Sequence, residues 1–186
     1  MSLPDTSNLS LLQKSLQNEK LPEDARRMIL QHTGASGGAH HMCAFVEKEC
    51  ARQAPWLDCT KDATWRELAI DIFGGPNADV AVIDRYKSEK DAWLVDHNRA
   101  PETWKYTFSM LCSFYGILYR GMKGTPTTNM VLGNNRYLMA VFPRFHEFPG
   151  ARVYLQSSQL TTPLGGMRPF LYFDVVPNGP VTNTRY

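Results

Sequence analysis

The chain has 186 residues, of which 43% are hydrophobic and 20% charged, with a formal net charge of +2. This is ordinary globular composition at a length that suits one domain. It excludes a collagen-like chain, an acidic disordered chain and a disulfide-dense miniprotein.

The start, Met1 to Asn8, has neither a basic region nor an apolar run, so no secretory signal is expected. The longest apolar stretch, Phe108 to Tyr119, is too short to cross a bilayer as a helix. With no signal, the four cysteines (Cys43, Cys50, Cys59, Cys112) are expected as reduced thiols rather than two disulfides. These features point to an intracellular, cytoplasmic protein or a component of a virion, and leave peripheral membrane contact open.

Leu9, Leu12 and Leu16 recur at helical spacing and predict a helix over Thr6 to Asn18. Leu21-Pro22-Glu23-Asp24 opens a second helix, running to about His32, because proline needs no donor there and carboxylates suit the positive helix end. After the glycine-rich break at 34–38, Ser36 is expected to cap a helix from about Ala39 to Gln53. Thr64-Trp65-Arg66-Glu67 fits a capping box, and the helix it opens should stop at Gly74. A further helix is predicted from about Ala78 to Asp96. Pro101-Glu102 opens the clearest helix, near 101–121, where Trp104, Phe108, Leu111, Tyr115, Leu118 and Met122 form one stripe and Met110, Phe114 and Ile117 another. A helix apolar on most sides is a buried central one.

Beyond Gly124 the pattern changes. Met130 to Leu132, the turn Gly133-Asn134-Asn135 and Arg136 to Phe142 read as a β-hairpin. Arg152 to Ser157 and Pro169 to Val176 read as two further strands. The expected architecture is a single α+β domain over 1–186. It has a helical part at 1–122 with five to six helices, a small antiparallel β-sheet in a basic part at 125–177, and a loose tail at 178–186.

Charge divides at nearly the same boundary. Residues 1–102 hold twelve Lys+Arg and sixteen Asp+Glu, a balance of −4, while residues 103–186 hold eight and two, a balance of +6. The late cations Lys105, Arg120, Lys123, Arg136, Arg144, Arg152, Arg168 and Arg185 alternate with aromatics such as Tyr137 and Tyr154. Guanidinium groups suit bidentate phosphate contact, and aromatic rings give bases a platform, so single-stranded RNA or DNA is the expected partner. The acidic and basic parts also suggest head-to-tail contact between copies, a homo-oligomer. No RNP-like motif, KH loop or Walker pattern occurs, and no cofactor is indicated. The glycine loop Gly121 to Pro126 lies at a helix C-terminus and reads as a cap and turn.

A second group, His32, His40, His41, Cys43, Cys50 and Cys59, falls within 28 residues. His40, Cys43, Cys50 and Cys59 are the candidate zinc ligands, though His40-x-x-Cys43 lacks a matching second pair. Near a helix start, His40 or His41 would stay neutral and could serve as a base for a cysteine nucleophile. Asp58, Asp62, Glu67 and Asp71 are spaced as a solvated helical face. His146-Glu147 lacks the second histidine of a zincin, and His97 suits a helix C-cap.

The pattern favours a non-enzymatic, nucleic-acid-binding and self-associating structural protein of the viral coat, nucleocapsid or matrix type. The alternatives are a small Cys/His enzyme or zinc-stabilised domain built on 32–59, and a protein–protein adaptor whose arginines face a partner.

Overall fold

Helical spacing in the leading half closes into helices almost where periodicity places them. The computed structural model describes residues 6–35, 37–122, 141–147, 151–154 and 174–177. The helices are α1 (Thr6–Leu16), α2 (Glu23–Thr33), α3 (Gly38–Ala51), α4 (Asp62–Ala69), α5 (Val80–Asp96) and α6 (Trp104–Met122). Helix α4 runs directly into a π-turn, Ile70–Gly74, and a 3-10 turn, Gly75–Asn77. A second 3-10 turn covers Pro143–Glu147.

Helix ends differ from expectation where a distant residue takes over the capping. No Thr64 capping box forms, because α4 already starts at Asp62. Asp62 instead reaches across to α6 and accepts from the Trp104 and Lys105 amides at 2.9 and 3.4 Å, satisfying donors that begin that helix. Helix α3 is entered through Gly37, in the left-handed region at φ 88°, and Ser36 lies outside the described residues. A Cβ on Gly37 would stand 2.3 Å from the Tyr119 ring, so only glycine fits. Asp79 caps α5 by accepting from the Val82 amide.

The core forms around α6. Phe108, Leu111, Phe114 and Tyr115 are all buried, as the two apolar stripes require. Trp65 of α4 and Phe73 of the π-turn stand 5.4 and 6.0 Å from Phe108, and Phe73 also meets Tyr115 and Phe145. Each such ring contributes about 1.5–3 kcal/mol by leaving water.

The expected α+β architecture does not hold: about three-quarters of the interpretable chain is helical, with no sheet layer after the helices. Most of the predicted hairpin, including Met130 to Leu132, lies outside the described residues, but its last two residues do not. Val141 is helical, and Phe142 and Phe145 are both fully buried three positions apart. That is helical spacing, since strand neighbours alternate by two. Segments Ala151–Tyr154 and Asp174–Pro177 pair antiparallel as a single short ladder, Ala151 opposite Pro177 and Tyr154 opposite Asp174. Two strands of four residues cannot form a layer of their own. The tail at 178–186 lies outside the described residues.

The cysteines also depart from expectation. Cys43 of α3 is joined to Cys112 of α6, with Cα atoms 5.9 Å apart, and Cys50 to Cys59 at 5.8 Å. No cysteine is free. The first pair spans 69 positions and becomes visible only when α3 packs on α6. Among the described residues no helix is long and apolar enough to cross a membrane.

Candidate functional site

Of the late cations, the structure settles the surroundings of Arg144 most fully. Its guanidinium lies between the ends of two helical elements. Nε donates to the Ile72 carbonyl at 3.0 Å and Nη2 to the Gln31 carbonyl at 2.5 Å. Both carbonyls sit in final turns, Gln31 of α2 and Ile72 of the π-turn, where no intrahelical donor remains. The cation therefore sits at two negative dipole ends at once. Gly34 and Gly75 line the slot, and a Cβ on either would stand 2.9–3.0 Å from the guanidinium. Gly75 also has φ +68°, which favours glycine on conformational grounds.

The third Arg144 nitrogen reaches Glu147 at 3.4 Å. Glu147 also accepts from the buried Tyr115 hydroxyl and from the Gly37 amide, at the positive start of α3. Burial raises the Tyr115 phenol pKa, and the bond to Glu147 raises it further. Each of its three nitrogens makes a contact and its side chain is 10% exposed, so Arg144 acts here as a clasp between two helix ends.

The other sequence candidates are placed more simply. Lys105 is exposed, its ammonium 5.6 Å from the Trp65 ring and in no ion pair among the described residues. Arg120 lies on the last turns of α6, and Arg152 and Tyr154 lie in the short ladder. Lys123, Arg136, Tyr137 and Arg168 lie outside the described residues.

The zinc and nucleophile candidates do not assemble. A disulfide sulfur is neither a thiolate ligand nor a nucleophile, so Cys43, Cys50 and Cys59 are withdrawn from both roles. His40 stacks on Tyr119 at 5.1 Å, and His41 meets the same ring edge-on. Among the described residues no cluster of His, Cys, Asp and Glu could hold a metal. His97 is the C-cap residue of α5, its ring stacked on Trp93.

Three buried polar sites escaped sequence reasoning. Asp71, read as part of a solvated face, is 2% exposed and receives Arg27 at 3.3 and 3.4 Å and Gln31 at 3.1 Å. Glu49 accepts from Arg52, Gln17 and the Trp56 indole at 2.6–2.9 Å. Burial alone would push its carboxyl up, but these donors outweigh it and hold the pKa below the usual range. Lys90 forms a buried pair with Glu102 at 2.6 Å, and burial pulls the lysine down from its ordinary value. The only advance signal for these was polar residues interrupting apolar helical faces, which also describes ordinary surface.

A groove of about 320 Å³ runs between α2, α4 and the 54–61 loop. Leu30 and Leu68 form its floor, Trp56 stands on one wall with the Arg26 guanidinium 5.2 Å from the indole, and Glu67 is exposed at the rim.

The ion pairs divide along the chain as charge does. Arg26–Glu23, Arg27–Asp71, Arg52–Glu49, Lys61–Asp58, Arg66–Asp84, Arg85–Glu89, Lys87–Asp91 and Lys90–Glu102 all lie within 1–102. Arg144–Glu147 lies within 103–186. Among the described residues none joins the two parts.

Comparison with protein families, with curated proteins and with solved structures gives no match for this chain.

Proposed function

We propose that this chain is a non-enzymatic structural protein that associates with itself and holds single-stranded RNA or DNA along its late basic segment. The observation that carries this reading is the uneven division of charge, −4 over 1–102 and +6 over 103–186. Eight carboxylates of the leading part pair with cations of that same part, and no ion pair among the described residues joins it to the late part. Of the two carboxylates in 103–186, Glu147 is taken by Arg144, which leaves Asp174 against the remaining cations. A segment with that excess lowers its free energy by taking up a polyanion and releasing the polyanion's counterions.

The reading is one of setting as well as chemistry. Between a cytoplasmic location and a virion, the second suits a chain with two disulfides, since such bonds persist at virion surfaces and are rare in the cytosol. A coat, nucleocapsid or matrix role fits both the charge and the covalent links. The enzyme and zinc readings are set aside, because their thiols are consumed.

Mobility shift of labelled single-stranded RNA and DNA against salt tests the proposal. Binding should weaken with a log–log slope of about −3 or steeper, the value for four or more neutralised phosphates on a single strand. The alanine set Arg136/Arg152/Arg168 should flatten the slope without changing the fold. Absence of any shift at low salt rejects the nucleic-acid part. A monomer by light scattering at high concentration rejects self-association.

A further inference from the structure

We propose that the Cys50–Cys59 disulfide is a thiol-responsive latch on the 52–61 loop, while Cys43–Cys112 is the permanent tie of the fold. The inference does not depend on the nucleic-acid reading.

The two disulfides occupy different surroundings. Cys43 is 7% exposed and sits in the core on α3, and its partner Cys112 on the central helix is half-buried. Cys50 and Cys59 are both half-buried, at the end of α3 and in the loop ahead of α4. Thiol exchange needs a thiolate to reach one sulfur, and the second pair offers two half-buried sulfurs where the first offers only Cys112. The spans differ as well. Opening a link between residues nine apart frees one loop, whereas opening one between residues 69 apart frees α6 from α3.

Gln53, at φ +55°, is the left-handed cap that ends α3, its amide donating to the Cys50 carbonyl at 3.1 Å and the Ala54 amide to the Glu49 carbonyl at 2.9 Å. It lies three residues beyond Cys50, between the disulfide and the contact of Trp56 with Glu49. Without the covalent anchor, the loop beyond Gln53 relies on non-covalent contacts such as Trp56 with Glu49 and with the Arg26 guanidinium, which can then part. Because Trp56, Leu57 and Asp58 form one wall of the groove, its width follows the state of the disulfide.

The reductant is a dithiol or two monothiols of the glutathione class. A thiolate attacks one protein sulfur and expels the other as a thiolate, which takes a proton. A second reductant thiol resolves the mixed disulfide. The protein gains two electrons and two protons, and the reductant leaves as its disulfide. The Leu57 carbonyl, 3.8 Å from the Cys59 sulfur, is in place to accept from the new S–H.

The test treats the folded full-length protein with graded reduced glutathione, traps thiols with iodoacetamide and maps them by peptide mass spectrometry. Cys50 and Cys59 should be alkylated at least about tenfold faster than Cys43 and Cys112. Limited proteolysis should then cut within 52–61, and a C50S/C59S variant should show the same cut without reductant. Four free thiols in the untreated folded protein would overturn the proposal. So would earlier opening of Cys43–Cys112, or joint opening of both pairs with loss of the helical signal. The alkylation kinetics decide the matter even if the double variant does not fold.

Discussion

The leading helices and the Pro143–Glu147 turn use cations in opposite ways. In the helices each buried or half-buried cation meets a carboxylate, as in Lys90–Glu102 and Lys87–Asp91. In the turn, Arg144 meets main-chain carbonyls at two helix ends and uses its one nearby carboxylate as a third contact. A carboxylate partner neutralises a cation, whereas carbonyl partners satisfy its donors and leave its charge in place. The difference explains how the late part attaches to an acidic body without an ion pair between them among the described residues.

Three changes bear on that contrast. The largest effect is expected from Lys90→Ala, which leaves the Glu102 carboxylate buried beside an empty site. Breaking a buried pair from one side costs about 3–5 kcal/mol, and chemical denaturation should show a loss of that size. A loss under about 1 kcal/mol would mean that water reaches Glu102 and that the helices do not close their own charges.

Next is Arg144→Ala, with an expected cost of about 2–3 kcal/mol from two uncapped carbonyls and lost charge at two dipole ends. Proteolysis should then release the 141–147 segment before the helical body unfolds. Arg144→Lys should recover little, because an ammonium lacks the planar fork that reaches both carbonyls. Simultaneous unfolding of both parts would erase the distinction drawn between them.

The smallest is Glu49→Gln, about 1–2 kcal/mol at neutral pH, since the amide keeps the shape but loses charged acceptors for Arg52 and Trp56. Its pH dependence sharpens the comparison. The folded carboxyl has a pKa below its unfolded value, so its stabilisation is complete above the ordinary glutamate range. It is lost as pH falls through the depressed folded value. An acid titration of wild type and variant should therefore converge below that range, and parallel curves would show that Glu49 carries no such stabilisation.

Much of the helical order was legible because it is a local property. Leu9, Leu12 and Leu16, and the stripes of the 101–121 segment, declare their period within one element, and the helices stand within a few residues of the expected places. The late segment misled the same method. Val141 and Phe142 look like the end of an apolar strand, yet Phe142 and Phe145 both enter the core against α5 and the π-turn, and that burial selects the helical turn. The site was less legible still. Arg144 looks like any other late arginine until Gly34 and Gly75 are seen beside it, 110 and 69 positions away. Asp71 looks solvated until Arg27 arrives from another helix.

Composition and periodicity alone determined the helical leading half, the central position of α6, the absence among the described residues of a membrane-crossing helix, and the unequal division of charge. Each follows from neighbours within a turn or two, or from counting. The tertiary structure decided which carboxylates are buried, which arginine is a clasp, and that the four cysteines are joined in pairs. Those outcomes depend on residues that meet only when helices pack, and an approach across tens of positions leaves no trace in local spacing.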